Sequence, residues 1–342
     1  MNQRVSLKSL AEELGLDVST VSRALRSDPR VRSETAEAVR KLAAQRDYRP
    51  NALARALRGG KTGRVAVLLS PPQQRFASPI FLELLATLDQ RLRDCGRSLA
   101  VFAARDRAEE PEIVRQIVED GLADAIVMGR TQRQDRRVRW LIDRGFPFVT
   151  FGRSDWPDAH PWVEIDYAVA GGLAVTALAC AAPRVLHVVS APEGQNFADN
   201  FVTGALAQSR TLGLPLPVVH RVEMTEEQGE ATALAILSGS PKGIALACIQ
   251  DSLAFGVFRA AARLGWQVGR DLALFGGQNF PGSEHTAPPL STFSTDDARV
   301  AALLSEVTLR RLEAVGRQPE GWESHVIAPA LLLRQSHLLA AG

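Results

Sequence analysis

Residues 6–25 read Ser-Leu-Lys-Ser-Leu-Ala-Glu-Glu-Leu-Gly-Leu-Asp-Val-Ser-Thr-Val-Ser-Arg-Ala-Leu. Leu7, Leu10, Ala11 and Leu14 recur at i, i+3, i+4 and i+7, the spacing of one helical face. Gly15 is a helix stop of the kind that takes a left-handed backbone. A second helix begins at Val18 and turns Val21, Ala24 and Leu25 inward. Two helices joined by so short a turn predict helix-turn-helix geometry. The second helix then carries Ser19, Thr20, Ser22, Arg23 and Arg26 on its polar face. Short hydroxyls and guanidiniums are side chains that reach phosphates and base edges.

Outward from this stretch, a third helix is expected from about Ser33, with Val39, Leu42 and Ala43 inward. It ends near Tyr48-Arg49-Pro50, because the residue before a proline leaves the α region. Residues 51–58, Asn-Ala-Leu-Ala-Arg-Ala-Leu-Arg, form one more short helical stretch closed by Gly59-Gly60. Asn51 is a good N-cap, but so short a helix does not hold in water alone.

The pattern changes at Arg64. Apolar runs of strand length occur at 64–70, 98–103, 125–128, 148–151, 185–189, 218–222, 244–248 and 272–275. Helical patterns separate them at 79–95, 111–120, 135–144, 167–180, 200–212, 226–238 and 251–264. Strands apolar on both faces that alternate with helices predict parallel sheets covered on both sides. The run divides into two βα sets of five or six strands, hence two similar lobes. The domain boundaries are expected at 1–50, 51–62 and 63–342.

The chain has 342 residues, 46% hydrophobic and 23% charged, a globular composition. Its net charge of +2 hides an asymmetry: residues 1–64 hold 14 Lys/Arg against 7 Asp/Glu. The remainder is mildly acidic, so a basic head that meets a polyanion is expected. The three cysteines form no C-x-x-C pair, which excludes a zinc finger and a disulfide scaffold. The N-terminus MNQRVSLKSL has no apolar h-region and no apolar run approaches ~18 residues, so neither a signal peptide nor a membrane span is expected and the expected setting is the cytoplasm. Nucleotide-binding glycine motifs, H-E-x-x-H and the nucleophile elbow G-x-S-x-G are absent. The sequence therefore predicts no enzyme, no metal and no cofactor.

A two-lobed body binds a small molecule where strand ends face each other. Arg153 and Asp166 follow strands of the first lobe; Asn200, Asp251 and Gln278 belong to the second. Fixed planar donors and acceptors suit sugar hydroxyls, and Phe81, Trp156 or Phe197 would cover a sugar ring. Asp251 reads equally as the cap of the helix that it begins. Arg153 reads also as an ion-pair partner of Asp155 or Asp158, and Trp156 as core or rim packing.

Three segments together resemble the LacI/GalR family of transcriptional regulators. They are Leu7-x-x-Leu-Ala-x-x-Leu-Gly-Leu-x-Val-Ser-Thr-Val-Ser-Arg-Ala-Leu25, Val31-Arg-Ser-Glu-Thr35 and Tyr48-Arg-Pro-Asn-Ala-Leu-Ala-Arg-Ala-Leu57. Val149-Thr-Phe-Gly-Arg153, Val163-Glu-Ile-Asp166, Asp251-Ser-Leu-Ala-Phe-Gly256 and Pro288-Pro-Leu-Ser-Thr292 extend the resemblance through the body. It implies an all-α headpiece followed by a two-lobed, periplasmic-binding-protein-like α/β body with parallel sheets. It further implies a dimer on a double-stranded operator, controlled by a small effector. The resemblance puts Val18 and Ser19 at variable base-reading positions and Arg23 on the major-groove floor. Thr20, Ser22 and Arg26 fall where the family grips phosphate, and Arg30 and Arg32 lie near the DNA backbone. Residues 51–58 resemble the hinge helix, with Asn51 and Ala54 on it and Leu57 as a minor-groove wedge. Where many relatives cap the third helix with serine this chain has Arg32, so Ser33 takes over the cap or the start is looser.

Departures bear on the ligand. Phe201 stands where many sugar-responsive relatives have an arginine, Gly276-Gly277-Gln278-Asn279 replaces Gly-[Phe/Tyr]-Asp-Asp, and Met224 replaces a stacking aromatic. With two charges missing, a neutral sugar or oligosaccharide is the expected effector, acting as inducer of a carbohydrate-operon repressor. The competing readings are a corepressor-dependent regulator with a non-sugar ligand and a solute-binding protein of the same fold.

Overall fold

A computed structural model describes residues 7–25, 28, 30–46, 61–69, 79–314 and 321–339. The chain divides into two compact units, Met1–Gly63 and Arg64–Gly342.

The first unit holds three helices, α1 (Leu7–Leu14), α2 (Val18–Ala24) and α3 (Ser33–Gln45). Gly15 ends α1 at φ 62°, and the Leu16 amide returns to the Ala11 carbonyl at 3.0 Å. This is the closing bond of a left-handed helix cap. Asp17 caps α2 by accepting from the Ser19 amide at 2.8 Å. Leu10, Ala11, Val21, Ala24, Ala36, Val39 and Ala43 form the core, with Leu7, Leu14, Leu25 and Leu42 packed against it. Arg32 precedes α3 with no side-chain cap, and Ser33 is already helical, so the looser start holds.

The second unit contains two parallel sheets. The first lobe is built on β1 (Arg64–Leu69), β2 (Ser98–Ala103), β3 (Ala125–Gly129), β4 (Phe148–Phe151), β5 (Trp162–Ile165) and β11 (Ser324–Ile327). Their spatial order is β2-β1-β3-β4-β5-β11, all parallel. Helices α4 (Pro79–Asp94), α5 (Glu110–Glu119) and α6 (Arg136–Asp143) connect them. The second lobe has β6 (Leu186–Ser190), β7 (Val218–Arg221), β8 (Ile244–Cys248) and β9 (Leu272–Phe275) in the order β7-β6-β8-β9, again parallel. It carries α7 (Tyr167–Ala179), α8 (Asn196–Thr211), α9 (Glu226–Gly239) and α10 (Asp251–Leu264). Both sheets thus share one winding, and an open sheet of this type binds ligands beyond the carboxyl ends of its strands.

The chain closes on itself after β9. β10 (Thr292–Ser294) pairs antiparallel with β12 (Ala330–Leu332), while α11 (Asp297–Glu313) and β11 return to the first lobe. The sequence pattern shows β5, β10, β11, β12 and α11 as no element. The second sheet has four strands, not the five or six expected.

Glycines set the helix pairs of the second lobe. A Cβ on Gly171 would lie 2.0 Å from the Phe201 carbonyl oxygen, and one on Gly204 would lie 1.9 Å from that of Ala168. Helices α7 and α8 therefore touch backbone to backbone, which fixes where α8 presents its first turn.

Candidate functional site

On the head, α2 turns Val21 and Ala24 into the core and leaves Ser19 and Arg23 exposed. Thr20 and Ser22 are half-buried, and Val18 packs partly against the core. Arg30 is engaged by Asp28 at 2.8 Å, and that guanidinium holds the Asp28 carboxyl well below the usual carboxylate range. Arg26, Asn51, Ala54 and Leu57 lie outside the described residues.

In the body, a cavity opens at the carboxyl ends of both sheets, with about 570 Å³ of space including its mouth. Ile80 and Phe81 from α4, Phe151 and Gly152 from the end of β4, and Glu164 and Ile165 from β5 line its first-lobe side, together with Arg130 beyond β3. Tyr167, Phe197, Met224, Ile249, Gln250 and Gln278 line the second-lobe side. Four aromatic rings and five polar groups would therefore meet a ligand here, a composition typical of small-molecule sites.

The polar groups are tied into chains. Ser252 donates to Gln250 Oε1 at 2.9 Å, and Gln250 Nε2 donates to Gln278 Oε1 at 2.9 Å. Gln278 Nε2 in turn donates to the Tyr167 hydroxyl, whose burial pushes its pKa up. Glu164 is 3% exposed, accepts from the Arg153 amide at 3.0 Å and pairs with Arg153 Nε at 3.1 Å. Burial raises the Glu164 carboxyl above its ordinary value. Burial also pushes the Arg130 guanidinium down to about 10, with Arg107 adding to the shift.

Two cavity residues stand in the left-handed region without being glycine, Arg130 at φ 53° and Gln278 at φ 78°. Such strain collects where a side chain must be delivered to a set place.

The second lobe is joined to the first beside this cavity. Gln132 and Gln195 form an antiparallel bridge, and the Asn196 amide donates to the Thr131 carbonyl at 3.1 Å. Asn196 Nδ2 donates to the Arg153 carbonyl at 3.0 Å and to Glu164 Oε2 at 3.3 Å.

The expected effector residues separate on this map. Phe81 and Gln278 line the cavity, as does Phe197. Arg153 stands at its edge, engaged by Glu164 rather than by Asp155 or Asp158. Asp166 caps α7 by accepting from the Val169 amide at 3.0 Å. Asn200 is a full turn into α8, which starts four residues earlier than the pattern suggests, and does not line the cavity. Trp156 packs against the apolar cluster on the outer side of the first sheet.

Asp251 neither lines the cavity nor caps a helix. It is 0% exposed and accepts from the amides of Gly277 and Phe280 and the hydroxyls of Ser283 and Thr292, at 2.5–2.9 Å. Burial pushes its carboxyl up to about 6 against the pull of these donors. It ties the start of α10 to the loop after β9. Arg130, Glu164, Tyr167 and Gln250 are the polar cavity groups that the sequence reading missed, and Phe151 the ring besides Tyr167.

Residues 6–51 match the family model for bacterial regulatory proteins of the lacI family, and residues 177–337 match a periplasmic binding protein-like domain. The transcriptional regulator AglR of Rhizobium meliloti is 28% identical over 95% of this chain and 94% of its own length. The chain carries a LacI-family DNA-binding domain at its head. The regulator also aligns with the ribose operon repressor of Haemophilus influenzae, 24% identical over 97% of this chain and 98% of that one. Among solved structures, the lac repressor dimer bound to operator superposes with a TM-score of 0.82. It is 19% identical, over 98% of this chain and all of that one. The complex of the regulator CelR with cellobiose gives a TM-score of 0.72 at 21% identity, over 97% of this chain. Both share the fold of this chain.

The family binds DNA and regulates transcription, so this protein is a DNA-binding transcriptional regulator and not an enzyme. No helix among the described residues is long and apolar enough to cross a membrane.

Proposed function

We propose that this regulator is a cytoplasmic repressor of a carbohydrate-utilisation operon, released from its operator by a neutral sugar or oligosaccharide bound between the lobes. The observation that carries this reading is the cavity lining. Gln250 and Gln278 offer flat amides, Arg130 and Glu164 one charge of each sign, and Phe81, Phe151, Tyr167 and Phe197 offer ring faces. Paired charges with no excess suit an uncharged polyol, and rings suit the C–H face of a sugar. Relatives whose names carry ribose and cellobiose support the same reading.

On DNA, the proposed head spans 1–50, the hinge 51–62 and the effector body 63–342. Val18, Ser19 and Arg23 face base edges, while Thr20, Ser22 and Arg26 hold phosphates. Asn51 starts the hinge helix, Ala54 lies along it and Leu57 wedges the minor groove. A two-fold dimer would bind a pseudo-palindrome. The lac repressor dimer on its operator, which shares this fold, supports this assembly. Thermal-shift screening against a panel of neutral sugars tests the ligand class. A ligand at 100 times its Kd adds ~2.7 kcal/mol, and no shift with any sugar would reject it.

A further inference from the structure

The eight residues from Arg130 to Arg137 join three tasks in one turn of chain. Arg130 follows β3 directly and is the cation on the cavity wall. Residues 131–133 form the bridge to the second lobe, through Asn196 to the Thr131 carbonyl and Gln132 to Gln195. Asp135 caps α6 and Arg137 lies in its first turn.

Arg137 is 6% exposed, a position that a guanidinium takes only with its charge matched. Asp135 and Glu110 match it, each at 2.6 Å. Its Nη2 also donates to the carbonyls of Gly129 and Arg130, at 3.3 and 3.4 Å. Those two carbonyls flank the backbone step at which Arg130 turns to φ 53°. That step is unfavourable for a residue with a Cβ, and the clamp on both carbonyls helps to hold it. A lysine at 137 would keep the charge but lose the fork that spans two carbonyls and two carboxylates.

We propose that Arg130 determines which ligand the cavity accepts, and that Arg137 is a positioning residue that holds Arg130 in place by gripping the carbonyls of residues 129 and 130. The inference rests on the effector reading of the cavity. Charge-assisted bonds from Arg130 to ligand hydroxyls make its loss a tenfold to hundredfold effect, roughly. Strain relief makes Arg130→Gly neutral or favourable to stability at this backbone geometry.

The test is calorimetric titration of ribose, glucose, maltose and cellobiose into the full-length protein and its Arg130→Gly, Arg137→Lys and doubly substituted forms. Arg130→Gly is expected to fold with an unchanged or higher Tm and to weaken the tightest-binding sugar at least about tenfold. Arg137→Lys is expected to weaken the same sugar, and to add nothing further in the Arg130→Gly background. Full affinity in Arg130→Gly, or additive losses in the double variant, would overturn the proposal. A crystal structure of Arg137→Lys decides the positioning claim without any ligand. Residue 130 should leave the left-handed region, and an unchanged residue 130 would refute the clamp. If none of the four sugars binds the unsubstituted protein, the sugar reading fails, and the crystal structure still decides the clamp. Should Arg137→Lys not fold, Arg130→Gly carries the test through its Tm and its sugar affinity.

Discussion

Asn196, in the first turn of the second lobe's α8, donates to Glu164 Oε2 on the first lobe's β5 at 3.3 Å. The same amide group donates to the Arg153 carbonyl at 3.0 Å, so one side chain spans the two lobes at the cavity's edge. Glu164 itself lines the cavity, and Arg153 follows the lining residue Gly152. The contact that joins the lobes therefore shares an atom group, the Glu164 carboxylate, with the cavity wall.

Asn196→Ala removes both bonds and leaves the buried Glu164 with fewer donors. The expected cost is about 1–3 kcal/mol of stability, since one bond goes to a charged group. Small-angle scattering of the ligand-free protein should also show a more open body. A variant with unchanged Tm and unchanged radius of gyration would mean that the bridge of backbone amides holds the lobes alone.

Acid should loosen the second lobe through His187 and His220, whose rings meet at 3.0 Å. Burial lowers both, and His187 is pushed down to about 4. The unfolded chain takes up these protons below about 6.5, whereas the folded chain resists until much lower pH. The histidines thus leave stability intact above about 6.5 and erode it as pH falls from there toward about 4. His187→Gln should flatten that part of a Tm-versus-pH curve; an unchanged slope would acquit the pair.

Asp251→Ala should unfold the second lobe rather than blind it to ligand. The Gly277 and Phe280 amides lose their acceptor, while the Ser283 and Thr292 hydroxyls each keep a carbonyl. Each stranded amide costs ~1–3 kcal/mol, so a total loss of about 2–6 kcal/mol is expected. Denaturant titration measures it. A stable Asp251→Ala protein that had lost only its effector response would restore Asp251 to the cavity.

Arg23→Ala should cost ~1–3 kcal/mol on operator DNA and relax the sequence preference at one position per half-site. Binding to random DNA should change far less. Equal losses on both would make Arg23 a phosphate contact.

The strands of the body were legible because a parallel sheet buried on both faces demands unbroken apolar runs, and most were found within one residue. Of the four strands that the sequence pattern missed, β5 is instructive. In β5 the run is interrupted by Glu164, and that interruption is the cavity's carboxylate. Two of the four rings on the cavity wall, Phe81 and Phe197, were also among the residues the sequence singled out, whereas Phe151 and Tyr167 were not. Arg130 was not, since nothing in the sequence sets it apart from the other arginines of an arginine-rich chain. An aspartate after a strand, at a helix start, reads alike as a cap, a ligand contact or a buried hub. For Asp251 only the position of residues 277–292 decides among them.

The central claim is that a neutral sugar in the cavity releases the head from DNA, and a titration of operator-bound protein tests it most directly. A labelled operator is saturated with the regulator, and a sugar that raises the protein's Tm is added while anisotropy is followed. The account predicts release, with operator DNA weakening the sugar's affinity by the same factor that the sugar weakens DNA binding, typically ~1–3 kcal/mol of coupling. Tighter DNA binding on addition, or a sugar that binds and leaves anisotropy unchanged, would contradict it.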